Sequence, residues 1–315
     1  MKKIILDCDP GMDDSMAIVM AAKSESLDLL AVTTVNGNYP AEITAKNARK
    51  VLEMLGRTDI PVARGMAQPM VHPCPKDPFS HGADGQAENF LPEPQMALHP
   101  LHAVDLIIDL VKKNPGEITL LCTGPMSNLA MAIVKEPEIK PLIAGVVAIS
   151  GAFGLNQYSF LNATGDTPQS EWNVYVDPEA AEIVYRSEIP LVALGLDVAT
   201  HFDVNFSADD FKLFAESSRK EASFLAQAIR FVNSRGFEAY CTIIDCMAVG
   251  YAIDPTLVKT MKCRCGVETA GTLTRGMTVR DGRHHFVWEQ LPEITIGVQA
   301  DYARFLNLLK ELVLK

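Results

Sequence analysis

The chain has 315 residues, 48% of them hydrophobic, and a net charge of −11 at pH 7. A chain of this size buries a large core, in one α/β domain or two close ones, and the acidic balance argues against nucleic acid or an anionic membrane as a partner. Because the seven cysteines show no CxxC spacing, and neither a signal peptide nor an apolar run of transmembrane length is recognisable, we expect a cytoplasmic protein with reduced cysteines.

Short apolar runs alternate with helical patterns along the first two thirds of the chain. The predicted strands are residues 4–7, 29–35, 61–63, 118–122, 146–150 and 191–196. The predicted helices are residues 14–22, 41–55, 103–112, 127–134 and 178–185. This alternation predicts an α/β fold with a mostly parallel central sheet and helices on both faces, formed by residues 1–315 as a single large domain.

Two further segments have patterns of their own. The proline-rich residues 66–100 predict a long loop, either near the functional site or as a disordered flap. Past residue 207 the chain becomes more helical, and residues 266–281 predict a hairpin before a last strand and helix.

The first predicted strand runs directly into four carboxylates, those of Asp7, Asp9, Asp13 and Asp14. Carboxylates this close repel one another and raise one another's pKa unless a cation or a set of donors compensates them. Calcium and magnesium prefer carboxylate and carbonyl oxygens, whereas the thiolate and imidazole set that zinc prefers is missing from this segment. The sequence therefore predicts an oxygen-ligated metal site near residue 10.

Other interpretations of the four aspartates are possible. Asp13 and Asp14 alone would suit the first turn of a helix, but Asp7 and Asp9 extend an apolar strand, where a structural carboxylate is disfavoured. An EF-hand loop counted from Asp7 would need a glycine and a glutamate where this chain has methionine and isoleucine. A phosphatase of the haloacid dehalogenase type also begins with Asp-x-Asp after a strand, so phosphotransfer by an aspartyl nucleophile stays open as an alternative.

Five parts of the chain, in order, closely resemble the inosine-uridine-preferring nucleoside hydrolase family. They are residues 7–14, 33–38, 123–128 and 171–181, and Asp245. The resemblance implies a Rossmann-like, nucleoside hydrolase-like core and a calcium-dependent N-ribohydrolase that cleaves ribonucleosides to free base and ribose, for purine and pyrimidine salvage. It also implies a homodimer or homotetramer.

The resemblance further implies roles for individual residues. The groups that would hold Ca²⁺ are Asp9, Asp14, Asp245 and the backbone carbonyl of Thr123. Asp9 would also take a proton from a calcium-bound water. The substrate would be held by Asp13, Asn38, His81, Glu171, Asn173 and Asp245. Asp7 is expected to orient the loop rather than to bind the metal.

This chain departs from the family beside Asp245. Many members have a histidine immediately before this aspartate, in position to protonate the departing base, whereas this chain has Ile244. Cys241 and Tyr240 are the candidate replacements, because Cys241 would lie one helical turn before Asp245 on the same face. Cys241 could equally be a small buried apolar residue. The missing histidine also leaves open a nucleoside-binding protein without turnover.

A second departure lies upstream of Glu171. The family often has an asparagine there that contacts ribose, whereas this chain has Gly165 at the matching spacing and Asp166 beside it. Trp172 follows Glu171, and strand alternation would direct its side chain into the core.

Overall fold

The computed structural model describes residues 1–75 and 80–315. Within these residues nine strands form one sheet, in the order β3-β2-β1-β4-β5-β6-β9-β7-β8. The strands are β1 (Lys2–Cys8), β2 (Leu27–Thr34), β3 (Val62–Arg64), β4 (Ile118–Cys122), β5 (Gly145–Ile149), β6 (Leu191–Leu194), β7 (Val258–Val267), β8 (Thr278–Asp281) and β9 (Glu293–Ala300).

The α-helices connect and cover these strands. They are α1 (Met12–Lys23), α2 (Ala41–Met54), α3 (Ala103–Lys113), α4 (Ser127–Lys135), α5 (Tyr158–Leu161), α6 (Trp172–Val176), α7 (Pro178–Tyr185), α8 (Leu196–Ala199), α9 (Ala208–Glu216), α10 (Lys220–Ser234), α11 (Cys246–Ile253) and α12 (Tyr302–Leu314). Short 3₁₀ helices cover Pro137–Leu142, Ala239–Thr242 and Pro255–Leu257. None of the described helices is both long and apolar enough to cross a membrane.

The sheet is parallel from β3 to β9, and β7 then adds to it antiparallel to both β9 and β8. β1 lies inside the parallel part of the sheet, and its last five residues are all buried. Since successive side chains of a strand point to opposite sides, β1 is buried on both faces. Ile4 and Leu6 pack in one hydrophobic cluster and Ile5 in another, which lies on the opposite face. The predicted α/β fold with a mostly parallel sheet and helices on both faces is confirmed.

Most predicted strands agree with the structure to within one or two residues, and β4 has the predicted bounds. The predicted hairpin is the antiparallel pair of β7 and β8, although β7 begins earlier, at Val258. The described part of residues 66–100 contains no helix or strand, as predicted, and residues 76–79 of this loop lie outside the described residues. The loop reaches the end of β1, because the backbone N–H of Met12 donates to His81 Nδ1 at 3.2 Å.

Candidate active site

A cavity of about 400 Å³ opens at the carboxyl ends of the parallel strands. This is the edge of an α/β sheet where ligands usually bind. The predicted site residues that line it are Asp9, Asp13, Asn38, His81, Thr123, Glu171, Asn173, Cys241 and Asp245. Two other predicted residues, Asp14 and Tyr240, do not line its wall.

Four carboxylates, which we call the carboxylate floor, lie buried at this edge: Asp9, Asp13, Asp14 and Asp245. Oxygen atoms of Asp13, Asp14 and Asp245 all lie within 4.8 Å of one another. α1 begins at Met12, directly after the strand end, so that Asp13 and Asp14 occupy its first turn. The structure therefore gathers the predicted carboxylates in one place.

Asp14 is the best anchored member of the floor. It accepts the backbone N–H of Asp9 at 3.2 Å, the backbone N–H of Gly11 at 3.1 Å and the hydroxyl of Thr123 at 2.8 Å. These three donors tie the end of β1, the start of α1 and the end of β4 to a single carboxylate. The position of Asp14 is thus fixed by the surrounding backbone.

Two glycines let the backbone approach the carboxylate of Asp9. A Cβ atom at Gly37 would lie 2.0 Å from Asp9 Oδ2, and one at Gly124 would lie 2.7 Å from Asp9 Oδ1. The backbone N–H of Asn38 donates to Asp9 Oδ2 at 2.7 Å. Because glycine alone leaves this space free, both loops pack directly on Asp9.

The carboxylate floor is electrostatically unfavourable by itself. Burial raises the pKa of all four carboxyl groups, to about 6 for Asp13, and repulsion by Asp14 raises the pKa of Asp9 further. Oδ1 of Asp9 and Oδ1 of Asp13 are buried without a hydrogen-bond partner. Buried, mutually repelling carboxylate oxygens with free lone pairs form the ligand set that a hard divalent cation prefers, so the residues present fit a metal ion.

Asp7 has a different environment from the carboxylate floor. It is fully buried and accepts the hydroxyl of Thr33 at 2.6 Å and the side-chain amide of Asn128 at 2.7 Å. The same Asn128 accepts the backbone N–H of Met66 at 2.8 Å. Asp7 thus holds neighbouring loops and does not reach the cavity, in agreement with the orienting role expected for it.

His81 closes one side of the cavity. Because its Nδ1 accepts the backbone N–H of Met12, the neutral ring carries its proton on Nε2. Asp13 Oδ1 lies 3.8 Å from the same Nδ1. The loop that carries His81 is tied to the rest of the site by Tyr39, whose hydroxyl donates to the carbonyl of Gly82.

Glu171 and Asn173 are held by the protein itself. Glu171 accepts the backbone N–H groups of Asn173 at 2.7 Å, Val174 at 3.1 Å and Gly151 at 3.2 Å, so it caps α6. Burial outweighs these donors and raises the pKa of Glu171 to about 7. The side-chain amide of Asn173 donates to the carbonyl oxygen of Thr123 at 2.7 Å.

The prediction for Trp172 needs correction. Trp172 begins α6 instead of lying on a strand, and its half-buried side chain lines the cavity instead of entering the core. The Glu171 cap explains this, because it starts a helix where strand alternation was expected. Gly165 packs against Ser170, where a Cβ atom would lie 2.1 Å from Oγ, whereas Asp166 beside it lines the cavity.

The candidate proton donors also differ from expectation. Cys241 lies in a short 3₁₀ helix that ends before Asp245, so the predicted single helix carrying both residues is wrong. Cys241 lines the cavity, and burial raises the pKa of its thiol to about 12. Burial also raises the pKa of Tyr240, which packs against the core. Ile244, in the place of the family's histidine, lines the cavity too.

The sequence prediction missed the apolar half of the cavity. Val232 and Phe237, at and beyond the end of α10, line it together with Met12. Val232 belongs to an ordinary amphipathic helix, and Phe237 follows a glycine in a connection, so neither position carries a sequence signal of its own. The packing of α10 against the start of α1 brings Val232 to the site, and Phe237 follows the end of the same helix.

The sheet and the buried acidic floor beneath a substrate-sized cavity define an α/β enzyme with an acidic active site. A family model described as inosine-uridine preferring nucleoside hydrolase matches residues 4–307. The chain is 36% identical to the pyrimidine-specific ribonucleoside hydrolase RihA of Citrobacter koseri, over 98% of this chain and 96% of that protein. RihA of Escherichia coli is 36% identical over 98% of this chain and 97% of its own length.

Solved structures agree with these relatives. A plant nucleoside hydrolase, the PpNRh1 enzyme, superposes with a TM-score of 0.87 at 28% identity and covers 99% of each chain. The purine-preferring ribonucleoside hydrolase from Gardnerella vaginalis gives a TM-score of 0.86 at 30% identity, over 99% of this chain and 98% of its own. The chain belongs to the inosine-uridine preferring nucleoside hydrolase family and is therefore an N-glycosyl hydrolase.

Proposed function

We propose that this enzyme hydrolyses the N-glycosidic bond of ribonucleosides to free base and ribose, with a Ca²⁺ ion held at the carboxylate floor. The observation that carries this proposal is the trio of Asp13, Asp14 and Asp245, whose oxygens lie within 4.8 Å of one another in a buried pocket. Family membership supports the reaction, and the chemistry of the donor set supports the ion.

Asp9, Asp14, Asp245 and the carbonyl of Thr123 are the groups that we assign to the ion. The close trio contains Asp13 instead of Asp9, and Oδ1 of Asp9 and Oδ1 of Asp13 are both buried without a hydrogen-bond partner. We place Asp9 on the ion and Asp13 on the ribose because the family resemblance implies these roles. When bound, a divalent cation at this place offsets the repulsion among the carboxylates and makes a nearby water more acidic.

Asp9 is the group that we propose as the general base. Its carboxylate lines the cavity and its Oδ1 has no hydrogen-bond partner, so that this oxygen is free to accept a proton from a water molecule in the cavity. The backbone N–H of Asn38 donates to Asp9 Oδ2 and fixes the orientation of the carboxylate. The negative charge of the floor also stabilises the positive charge that develops on the sugar as the base departs.

The remaining polar groups of the cavity would bind the ribose. Asp13, Asn38 and Asp245 lie at the floor, and the Nε2–H of His81 is a hydrogen-bond donor. Glu171 and Asn173 line the cavity and complete the proposed ribose site. Asn173 is held there by its hydrogen bond to the carbonyl of Thr123 and by the cap of Glu171. A sugar with several hydroxyls, each of which both donates and accepts, matches this mixture of acceptors and donors.

Departure of the nucleobase is the step for which the cavity offers the poorest side-chain catalyst. Of the two proposed acids only Cys241 lines the cavity, and a thiol with a pKa raised to about 12 is a poor proton donor at neutral pH. We therefore propose that the rate depends strongly on how stable the departing base is as an anion.

The proposal extends to the setting in which the enzyme acts. We propose that it acts on free ribonucleosides in the cytoplasm, in purine and pyrimidine salvage, as a homodimer or homotetramer. Light scattering coupled to size-exclusion chromatography measures the oligomeric state directly.

Release of reducing sugar from inosine, uridine and cytidine tests the proposed reaction. Asp209→Asn, on the exposed surface of α9, is the matched control for Asp9→Asn. Ribose release that Asp209→Asn leaves unchanged and Asp9→Asn abolishes supports the proposal. Phosphate release from phosphate esters would instead support the phosphotransfer alternative, which the burial of Asp7 already disfavours. Nucleoside binding without ribose release would identify a binding protein.

A further inference from the structure

The loop of residues 80–90, which we call the His81 loop, has a strained backbone. Five of its residues have a positive φ: Gly82 at +81°, Gly85 at +75°, Ala87 at +57°, Glu88 at +57° and Phe90 at +46°. Ala87, Glu88 and Phe90 are three of the five non-glycine residues with a positive φ in the described part of the chain. Residues with a side chain rarely adopt this conformation, and they keep it only where surrounding contacts hold them.

The carboxylate of Asp84 holds this backbone from inside the loop. Its Oδ1 accepts the backbone N–H groups of Gln86 at 2.8 Å and Glu88 at 2.9 Å. Its Oδ2 accepts the backbone N–H of Phe90 at 2.7 Å. Hydrogen bonds to a carboxylate are stronger than those between neutral groups. Asp84 thus binds the backbone directly at two of the three strained non-glycine residues.

Two buried side-chain amides dock the His81 loop on α1 and α2. In the first contact, Nε2 of Gln86 donates to Oγ of Ser15 in α1 at 3.0 Å. Asn47 in α2 donates through Nδ2 to the carbonyl of Asp84 at 3.3 Å and to the carbonyl of Pro10 at 3.1 Å. Pro10 lies in the turn that joins β1 to α1. The loop and the turn at the carboxylate floor therefore share a hydrogen-bond partner, and a shift of the loop would break these bonds.

The docked loop places the imidazole of His81 in a narrow slot. The carbonyl of His81 accepts the backbone N–H of Ala87 at 2.7 Å, which ties the two ends of the turn together. His81 is only 7% exposed and lies against Gly11, where a Cβ atom would be 2.5 Å from Nδ1. The same Nδ1 accepts the backbone N–H of Met12 at 3.2 Å. A slot this narrow accepts the ring in one position, which the loop has to supply.

We propose that Asp84 is a positioning residue of this enzyme: its carboxylate keeps the strained His81 loop in shape, and the loop holds the imidazole of His81 against the carboxylate floor. Asp84 does not line the cavity, so it acts through the loop. The inference rests on the proposed function, in which His81 binds the ribose. Loss of Asp84 should therefore weaken substrate binding, while the floor stays in place because Asp14 accepts its hydrogen bonds from other segments.

Steady-state kinetics test whether Asp84 acts through His81. Ribose release from inosine and uridine is measured for wild type, Asp84→Ala, His81→Ala and the double variant. We expect Asp84→Ala to raise KM about 10-fold, the size expected for one hydrogen bond to the substrate, with a much smaller change in kcat. In the His81→Ala background the same substitution should add little, because the two residues act as one unit.

Labelling with diethyl pyrocarbonate reports the position of His81 without any substrate. The reagent acylates an accessible imidazole nitrogen that carries a lone pair, whereas Nδ1 of the buried His81 is occupied by the N–H of Met12. Mass spectrometry should find slow labelling of His81 in wild type and labelling several-fold faster in Asp84→Ala. The exposed His284 and His285 are internal standards and should react at the same rate in both proteins.

Two further variants separate this role from general damage. Asp281 is the matched control, because its carboxylate also accepts backbone N–H groups of a loop, those of Arg283 at 3.1 Å and Trp288 at 2.8 Å, but does not line the cavity. Asp281→Ala should change neither KM nor the labelling of His81. Asp84→Asn keeps one acceptor oxygen, so it should show smaller changes than Asp84→Ala in both measurements, and it decides the question if Asp84→Ala does not fold.

The outcomes separate this inference from the proposed function. An unchanged KM in Asp84→Ala, an unchanged labelling rate of His81, or an equal rise in KM in the His81→Ala background each overturns the inference, while ribose release by wild type leaves the proposed function intact. Absence of ribose release by wild type overturns the proposed function, and the labelling rates alone then decide whether Asp84 holds His81 in place.

Discussion

The carboxylate floor and the apolar wall of the cavity come from different kinds of chain segment. The apolar wall is formed by the lining residues Met12, Val232, Phe237, Cys241 and Ile244. The floor is built at the ends of buried parallel strands, where Asp14 alone accepts hydrogen bonds from Asp9, Gly11 and Thr123. The wall is built largely from the end of α10 and a 3₁₀ helix, and Phe237 remains more than half exposed. The group proposed for catalysis thus lies where hydrogen bonds hold the backbone, whereas the apolar wall includes an exposed ring.

The largest expected effect is the difference in kcat between a substitution in the floor and one in the wall. Asp9→Asn removes the proposed base from the floor, so kcat should fall by at least about 10²- to 10⁴-fold while binding of inosine stays measurable at saturating Ca²⁺. Phe237→Ala removes a half-exposed ring of the wall and none of the carboxylates, so it should lower kcat far less. Steady-state kinetics and calorimetry on both variants measure this. An active Asp9→Asn enzyme would mean that another group deprotonates the water.

The second prediction concerns the lack of an efficient acid in the wall. General acid catalysis contributes about 100- to 10,000-fold, so a nitrophenyl riboside, whose leaving group departs unaided, should be cleaved faster than inosine or uridine by a factor of this order. Cys241→Ala should slow inosine without slowing the riboside if the thiol contributes, and Tyr240→Phe, outside the cavity wall, should slow neither. Equal rates for both substrate types, unaffected by either substitution, would place the acid elsewhere in the chain.

A smaller effect is expected in the pH dependence of stability. Burial raises the pKa of Glu171 from an ordinary 4.5 to about 7, so between these values the folded chain binds a proton that the unfolded chain has lost. The free energy of unfolding should therefore fall as pH rises from about 4.5 to 7, by about 3 kcal/mol for this group. Denaturant titration of chelator-treated protein measures this slope, and Glu171→Gln should reduce it by the share of this group, while the buried aspartates of the floor keep the remainder. A slope that Glu171→Gln leaves unchanged would contradict this assignment.

The floor could be predicted from the sequence because its residues are adjacent along the chain or follow strands. The apolar run before Asp7 predicts β1, and parallel strands bring their carboxyl ends to one edge. The wall could not be predicted, because Val232 reaches the cavity through the packing of α10 on α1, and Phe237 follows the end of that helix without a sequence signal of its own. The strand expected at Trp172 was wrong for a related reason: the carboxylate of Glu171, which caps α6, also accepts the backbone N–H of Gly151, which is distant in sequence.

Ribose release from inosine and uridine by chelator-treated protein, followed through a calcium titration, tests the central claim most directly. We expect the treated protein to lose activity and melting temperature together, because the buried carboxylates of the floor then repel one another without compensation. Added Ca²⁺ should restore both in wild type, whereas Asp14→Asn should need far more Ca²⁺. Full activity and an unchanged melting temperature after exhaustive chelation would contradict a cation at the carboxylate floor.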